Sequence, residues 1–139
     1  MNDNKADIKS VIILGSYNER EECEELKKKI KIKEVVNYAG KANISQIYAI
    51  LRNCKMFIGN DSGLMHLAVA SELRVISLFG PTNDAVYGPY SDKNIVIRTK
   101  ENYDYFKSLK INENKTYMSS IKAETVFKNC EKIINDDIN

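Results

Sequence analysis

The chain's single histidine, His66, lies in the run GNDSGLMHLAVA, Gly59 to Ala70. An apolar stretch, MFIG, ends at Gly59, and an alanine-rich stretch follows the histidine. A helix beginning at Asp61 or Ser62 would present first-turn N–H groups that lack intrahelical partners and carry partial positive charge. Gly63 has no side chain, so an anion can approach the backbone there closely. The Ser62 hydroxyl adds a donor. His66 falls four residues beyond Ser62, on the same helix face one turn on. An imidazole can donate to a phosphate oxygen in either protonation state. These residue types in this order suit a phosphate cradle at a helix N-terminus. The purely structural reading is that Asp61 or Ser62 caps the helix and His66 is a satisfied core residue. The position at the carboxyl end of a buried strand favours the anion.

Other chemistries fail on spacing. A hydrolase nucleophile elbow requires G-x-S-x-G, and this run is G-x-x-S-G. AGKAN (Ala39 to Asn43) lacks the Ser/Thr and the earlier glycine of a P-loop. GSYNER (Gly15 to Arg20) lacks the three glycines of a dinucleotide turn. No aspartate pair falls at a strand end, Asp136 and Asp137 belonging to the tail, so no metal is implied.

The elements that would position these residues alternate. Short apolar runs ended by glycine or polar residues read as strands over 11–15, 34–40, 56–59, 75–80 and 94–99. The stretch NEREECEELKKKIKIK reads as a helix capped by Asn18, with Glu21 completing a capping box and Cys23, Leu26 and Ile30 on one face. Acidic residues lead it and lysines trail, as the helix dipole prefers. Asn43 and Gln46 form a second box before Ile44, Ile47, Tyr48 and Leu51. GPTNDAVYGPY reads as a loop, residues 100–117 as irregular, and Ile121 to Ile134 as a final helix before a frayed NDDIN tail. Strands buried on both faces imply a parallel sheet covered by helices, an α/β Rossmann-like doubly wound fold. Ligands in such folds bind beyond the carboxyl ends of the strands. GSYNE, GNDSG and FGPTND all land there.

With 139 residues and a formal charge of +2, the chain is at most one domain with a real core, and electrostatics give no argument for nucleic acid. Cys23, Cys54 and Cys130 are isolated, which argues against zinc and disulfides. The N-terminus has no apolar signal core and no run is long enough to span a bilayer, so the cytoplasm is the expected location.

GNDSGLMHLAVA, followed nine residues after His66 by VISLFGPT, resembles glycosyltransferase family nine, the ADP-heptose:lipopolysaccharide heptosyltransferases. The shared pattern is D-[ST]-G-x-x-H-L-A-x-A, then L-F-G-P-T; GKANI and MSSIKAETV also look like family segments. The resemblance implies a GT-B enzyme of lipopolysaccharide core biosynthesis, of which this chain matches the C-terminal, donor-binding half. It implies inverting, metal-independent transfer from a nucleotide sugar, commonly ADP-heptose, to a lipid-linked saccharide acceptor held by a separate N-terminal domain that also carries the base. Attachment at the inner face of the inner membrane is the second expectation for location.

By the same resemblance Asp61, Ser62, Gly63 and His66 would line the donor's diphosphate, with His66 stabilising the leaving group. Glu19 would hold the nucleoside-sugar portion, Ala42 would contact the base, and Thr82 would close the pocket, although a turn residue after Pro81 is an equal reading of Thr82. Residues 1–9 form a polar lead, 10–135 the nucleotide-sugar-binding domain, and 136–139 a frayed tail. Departures from the family pattern are Glu72 and Arg74 where Gly and Pro are usual, Asn83-Asp84 after Thr82, and Tyr117-Met118 in the usual Cys-Met place.

The family's domain opens with a further strand and helix carrying a lysine, and VIILG matches its second strand. Either the first and third strands then pair directly, or a partner chain or homo-oligomer completes the sheet. The chain alone is expected to bind nucleotide without turnover. The alternatives are a non-enzymatic nucleotide-binding module that needs a partner chain, and a phosphate-binding domain of another class such as a hydrolase, which would need a nucleophile that the sequence does not supply.

Overall fold

A computed structural model describes residues 8–112 and 114–136. The sequence reads as one domain; the structure divides into two compact units, Met1–Ile50 and Leu51–Asn139. The strands form two parallel sheets, β1-β2 and β3-β4-β5, in place of one. Among the described residues the ladders are β1-β2 in the first unit, and β3-β4 and β4-β5 in the second.

In the first unit β1 (Ser10–Ile13) pairs with β2 (Glu34–Asn37), Ser10 opposite Glu34 and Ile13 opposite Asn37. Between them runs α1 (Arg20–Lys29), which packs on β2. Both strands alternate in burial, with Ile13 and Asn37 buried and Ile12 and Val36 half-exposed on the opposite face. The expectation of strands buried on both faces therefore fails here, because a two-stranded pair has one covered face.

The helical stretch leading into α1 is capped two residues earlier than Asn18 and Glu21 suggest. Extended Ser16 is followed by a 3-10 turn, Tyr17–Glu19. Glu19 reaches back to Ser16, whose N–H and hydroxyl both donate to Glu19 Oε2, at 2.7 and 2.6 Å. The Asn43–Gln46 box before α2 (Ile44–Leu51) is as expected. Asn43 N–H donates to Gln46 Oε1, and Gln46 N–H to Asn43 Oδ1, both at 2.9 Å.

In the second unit β4 (Arg74–Phe79) lies between β3 (Met56–Asn60) and β5 (Ile95–Arg98). Being central, β4 is buried on both faces through Val75, Ile76, Ser77 and Phe79. The outer strands are not, and Ile58 and Val96 stand half-exposed. The helix α3 (Gly63–Ala70) packs on β3 and β4 and buries Met65 and Ala68. On Ile76 and Ile97 lie Cys130 and Ile133 of α6 (Ala123–Asp136). Burial pushes the Cys130 thiol up.

Two short helices occupy stretches read as loops: α4 (Asp84–Tyr87), capped by Asn83, and α5 (Tyr103–Lys107), capped by Asn102. Phe106 of α5 is buried edge-on between Tyr105 and Tyr117. The helix α6 also runs through Asn135 and Asp136. Asp136, expected in the tail, thus ends a helix and accepts from Arg74 Nη2 at 3.3 Å. Residues 1–7 of the expected lead and 137–139 of the expected tail lie outside the described residues.

Candidate functional site

The candidate residues fall on both units, and each group is described by itself. In the second unit Ser62 is the N-cap of α3. Its backbone is extended, and its hydroxyl oxygen accepts from the Met65 N–H at 3.4 Å. The Met65 and His66 N–H groups both reach the Ser62 carbonyl, at 3.1 and 3.3 Å. The two preceding N–H groups, of Gly63 and Leu64, have no hydrogen-bond partner among the described residues. They are the orphan donors of the helix start. A β-carbon added at Gly63 would meet nothing within 4 Å.

His66 is 53% exposed, so it is not a core histidine. Its Nε2 lies 3.8 Å from Asp61 Oδ1, beyond hydrogen-bond length but close enough for electrostatic attraction if the imidazole is protonated. The Asp61 carboxylate thus sits beside His66. The arrangement can present two backbone donors, a hydroxyl and an imidazole to an anion.

Thr82 is exposed in the loop between β4 and α4. Its position is governed by Arg98, at the end of β5. Arg98 Nη1 donates to the Thr82 carbonyl at 2.8 Å and to Asp84 Oδ1 at 2.6 Å, and Nη2 donates to the Gly80 carbonyl at 2.7 Å. Sequence reading missed Arg98. The available signal was a cation closing an otherwise apolar strand, NIVIR.

In the first unit Glu19 lies past the carboxyl end of β1 and Ala42 past that of β2. Their two loops are joined. The Gly40 N–H donates to the Gly15 carbonyl at 3.0 Å, and the Tyr38 N–H to the Ile13 carbonyl at 2.9 Å. Gly40 has φ +66°, and a β-carbon on it would fall 2.6 Å from Tyr17 Cα, so only glycine allows this approach. Glu19 spends one carboxylate oxygen on Ser16, and its other oxygen makes no hydrogen bond among the described residues. The Ser16 hydroxyl, then its N–H, hold the Glu19 carboxyl below the ordinary carboxylate range against a small opposing effect of burial. It is therefore an ionised acceptor at neutral pH.

A second residue missed in the sequence is Asn37. Its buried amide donates to the Arg20 carbonyl at 3.0 Å and to Glu24 Oε2 at 2.9 Å, and accepts from the Ala39 N–H at 3.1 Å. It bolts β2 to α1 and fixes the start of the Ala42 loop.

The family model for glycosyltransferase family 9 (heptosyltransferase) matches residues 4–117. The chain is 37% identical over 95 residues to lipooligosaccharide heptosyltransferase 2 of Haemophilus influenzae, covering 66% of this chain and 28% of that protein. It is 32% identical over 115 residues to lipopolysaccharide heptosyltransferase 3 of Escherichia coli, covering 82% of this chain and 33% of that one. Among solved structures, a family 9 glycosyltransferase from Veillonella parvula superposes with a TM-score of 0.78 at 26% identity, over 90% of this chain and 36% of that chain. The E. coli ADP-heptose lipopolysaccharide heptosyltransferase II gives 0.77 at 25% identity, over 94% and 38%. The chain spans about a third of the length of the curated relatives it matches.

Proposed function

The chain belongs to glycosyltransferase family 9, the heptosyltransferase family, and we propose that it is the portion of such an enzyme that holds the nucleotide-sugar donor. The observation that carries this reading is the start of α3. Gly63 and Leu64 leave two N–H groups unpartnered among the described residues, Gly63 has room at its β-carbon position, and the half-exposed His66 stands one turn on.

In the proposed reaction an acceptor hydroxyl attacks the anomeric carbon of the sugar, and the bond to the diphosphate breaks with inversion. Negative charge grows on the departing phosphate oxygen. Fixed donors aimed at that charge lower the barrier without reorganising. The Gly63 and Leu64 N–H groups, the Ser62 hydroxyl and His66 take this part, and no metal ion is invoked. Asp61 carries the wrong charge to touch a phosphate, and its place beside His66 supports a positioning role. The free oxygen of Glu19 accepts from donor hydroxyls, the Ala42 loop meets the base, and Thr82 borders the sugar side. The donor is ADP-linked. The acceptor, a lipid-linked saccharide, and the base belong to the remaining two-thirds of the relatives' length.

Titration calorimetry of the chain with ADP, UDP and GDP tests this. Heat with ADP, unchanged by a chelator, is expected, without sugar transfer by the chain alone. No heat with any of the three nucleotides from a sample that melts cooperatively would overturn the reading.

A further inference from the structure

Two residues before Glu19, past the carboxyl end of β1, Tyr17 stands 72% exposed. Its main chain is held from two sides. The Ser16–Glu19 hydrogen bonds close the 3-10 turn that contains it. Gly40 fits against it so closely that a β-carbon there would fall 2.6 Å from Tyr17 Cα and 3.0 Å from Tyr17 Cβ. Among the described residues the Tyr17 hydroxyl makes no hydrogen bond and its ring packs on no other ring or cation. Tyrosines of the second unit are engaged differently. Tyr105 and Tyr117 meet Phe106 edge-on, the Tyr117 hydroxyl accepts from the Asn112 N–H, and Lys107 stands over Tyr103. The loop beside Tyr17 offers no free charge near it. Gly40 has no side chain, Ala42 has a methyl, and between them Lys41 Nζ donates back to the Asn37 carbonyl at 2.9 Å.

We propose that Tyr17 is the base-stacking residue of this chain, and that its ring gives the donor site a preference for a purine over a pyrimidine nucleotide. The inference rests on the donor reading above and adds to it the residue that selects the base. A lone exposed aromatic is ordinary. An aromatic face whose main chain is fixed, between a hydroxyl acceptor and an uncharged loop, is a platform. Chemistry decides which part of a nucleotide it takes. A diphosphate needs cations or N–H donors, and Glu19 carries the wrong charge for it. A ribose needs hydroxyl acceptors, which the free oxygen of Glu19 supplies. A flat, uncharged heterocycle needs a ring to lie on. Tyrosine brings that broad surface at a small cost in side-chain freedom. The two fused rings of a purine cover more of it than the single ring of a pyrimidine.

The test is nucleotide titration of the full chain and three variants. The chain contains no tryptophan, so Tyr17→Trp places a lone emitter at this position. Its fluorescence should be quenched by ADP, saturating at the affinity that calorimetry gives. Tyr17→Ala should weaken ADP about tenfold and bring the ADP and UDP affinities together. Tyr17→Phe should keep ADP within about twofold, since the ring and not the hydroxyl stacks. The melting temperature of Tyr17→Ala should be unchanged, because the ring is exposed. Unaltered ADP affinity in Tyr17→Ala, equal losses of ADP and UDP, a loss in Tyr17→Phe as large as in Tyr17→Ala, or an unquenched tryptophan at saturating ADP would each overturn the inference and leave the donor reading standing. Failure of the unaltered chain to bind any nucleotide would overturn both.

Discussion

Arg98 Nη1 lies 2.6 Å from Asp84 Oδ1 while the same guanidinium holds the carbonyls of Gly80 and Thr82. One side chain on β5 thus fixes the loop that leaves β4. Arg98→Ala would strand two carbonyls and a carboxylate, and should lower stability by about 2–4 kcal/mol. Arg98→Lys should restore only part of this, since an ammonium cannot reproduce the planar fork. Urea unfolding measures both, and an unchanged midpoint in Arg98→Ala would refute the clamp.

Gly63 and Gly40 should respond to alanine in opposite ways. At Gly63 the added carbon meets nothing, so Gly63→Ala should keep or raise the melting temperature. It should weaken ADP by tenfold or more, because the methyl occupies the phosphate's approach. At Gly40 the backbone φ is +66° and Tyr17 Cα stands 2.6 Å from the new carbon. Gly40→Ala should cost at least about 1–3 kcal/mol. Differential scanning calorimetry with and without ADP separates the two effects; unaltered ADP affinity in Gly63→Ala would count against the phosphate site.

Asp61 and His66 should act as a unit toward nucleotide. His66→Ala and Asp61→Asn are each expected to weaken ADP, His66→Ala by about tenfold, as for loss of a hydrogen bond to a charged group. If Asp61 works through His66, the double variant should bind no worse than His66→Ala. Additive losses in a titration cycle would separate the two residues.

Glu19 gives an acid-dependent stability with a definite sign. Its folded pKa lies below the unfolded value because Ser16 donates to it twice. Its contribution is therefore present above the ordinary glutamate pKa and is lost as pH falls through the lowered folded value. The effect is small, since the carboxylate is exposed. Ser16→Ala should flatten the decline of melting temperature below pH ~4.5. Parallel curves for the two proteins would argue against the Ser16–Glu19 bond in solution.

What the sequence made legible was whatever is encoded within a few residues. The Asn43–Gln46 box, the cap at Ser62 and the strand of Val75 to Phe79 each depend on neighbours or on an unbroken apolar run. The cap of the helical stretch leading into α1 was misplaced because Asn18 and Ser16 both suit the role three residues before a glutamate. The backbone chose Ser16, leaving β1 in an extended conformation. The helices α4 and α5 were hidden because four or five residues give no periodicity to read. The roles of Arg98 and Asn37 were invisible for another reason. Their partners are main-chain carbonyls and side chains 13–18 residues distant, which no local pattern announces. Thr82 was singled out by its motif, yet the residue that places it lies on the next strand.

The first unit has little interior of its own. Among its described residues only Ile13, Ala39 and the amide-bearing Asn37 are buried, and its ladder has four rungs. So slight a core makes opening inexpensive, and amide protons report such openings directly. In deuterated solvent the hydrogens of Val11 to Ile13 and Val35 to Asn37 should be replaced long before those of Val75 to Phe79. The glutamate side of the chain would thus be a surface that assembles and dissolves on a shorter clock than the helix proposed to face the phosphate.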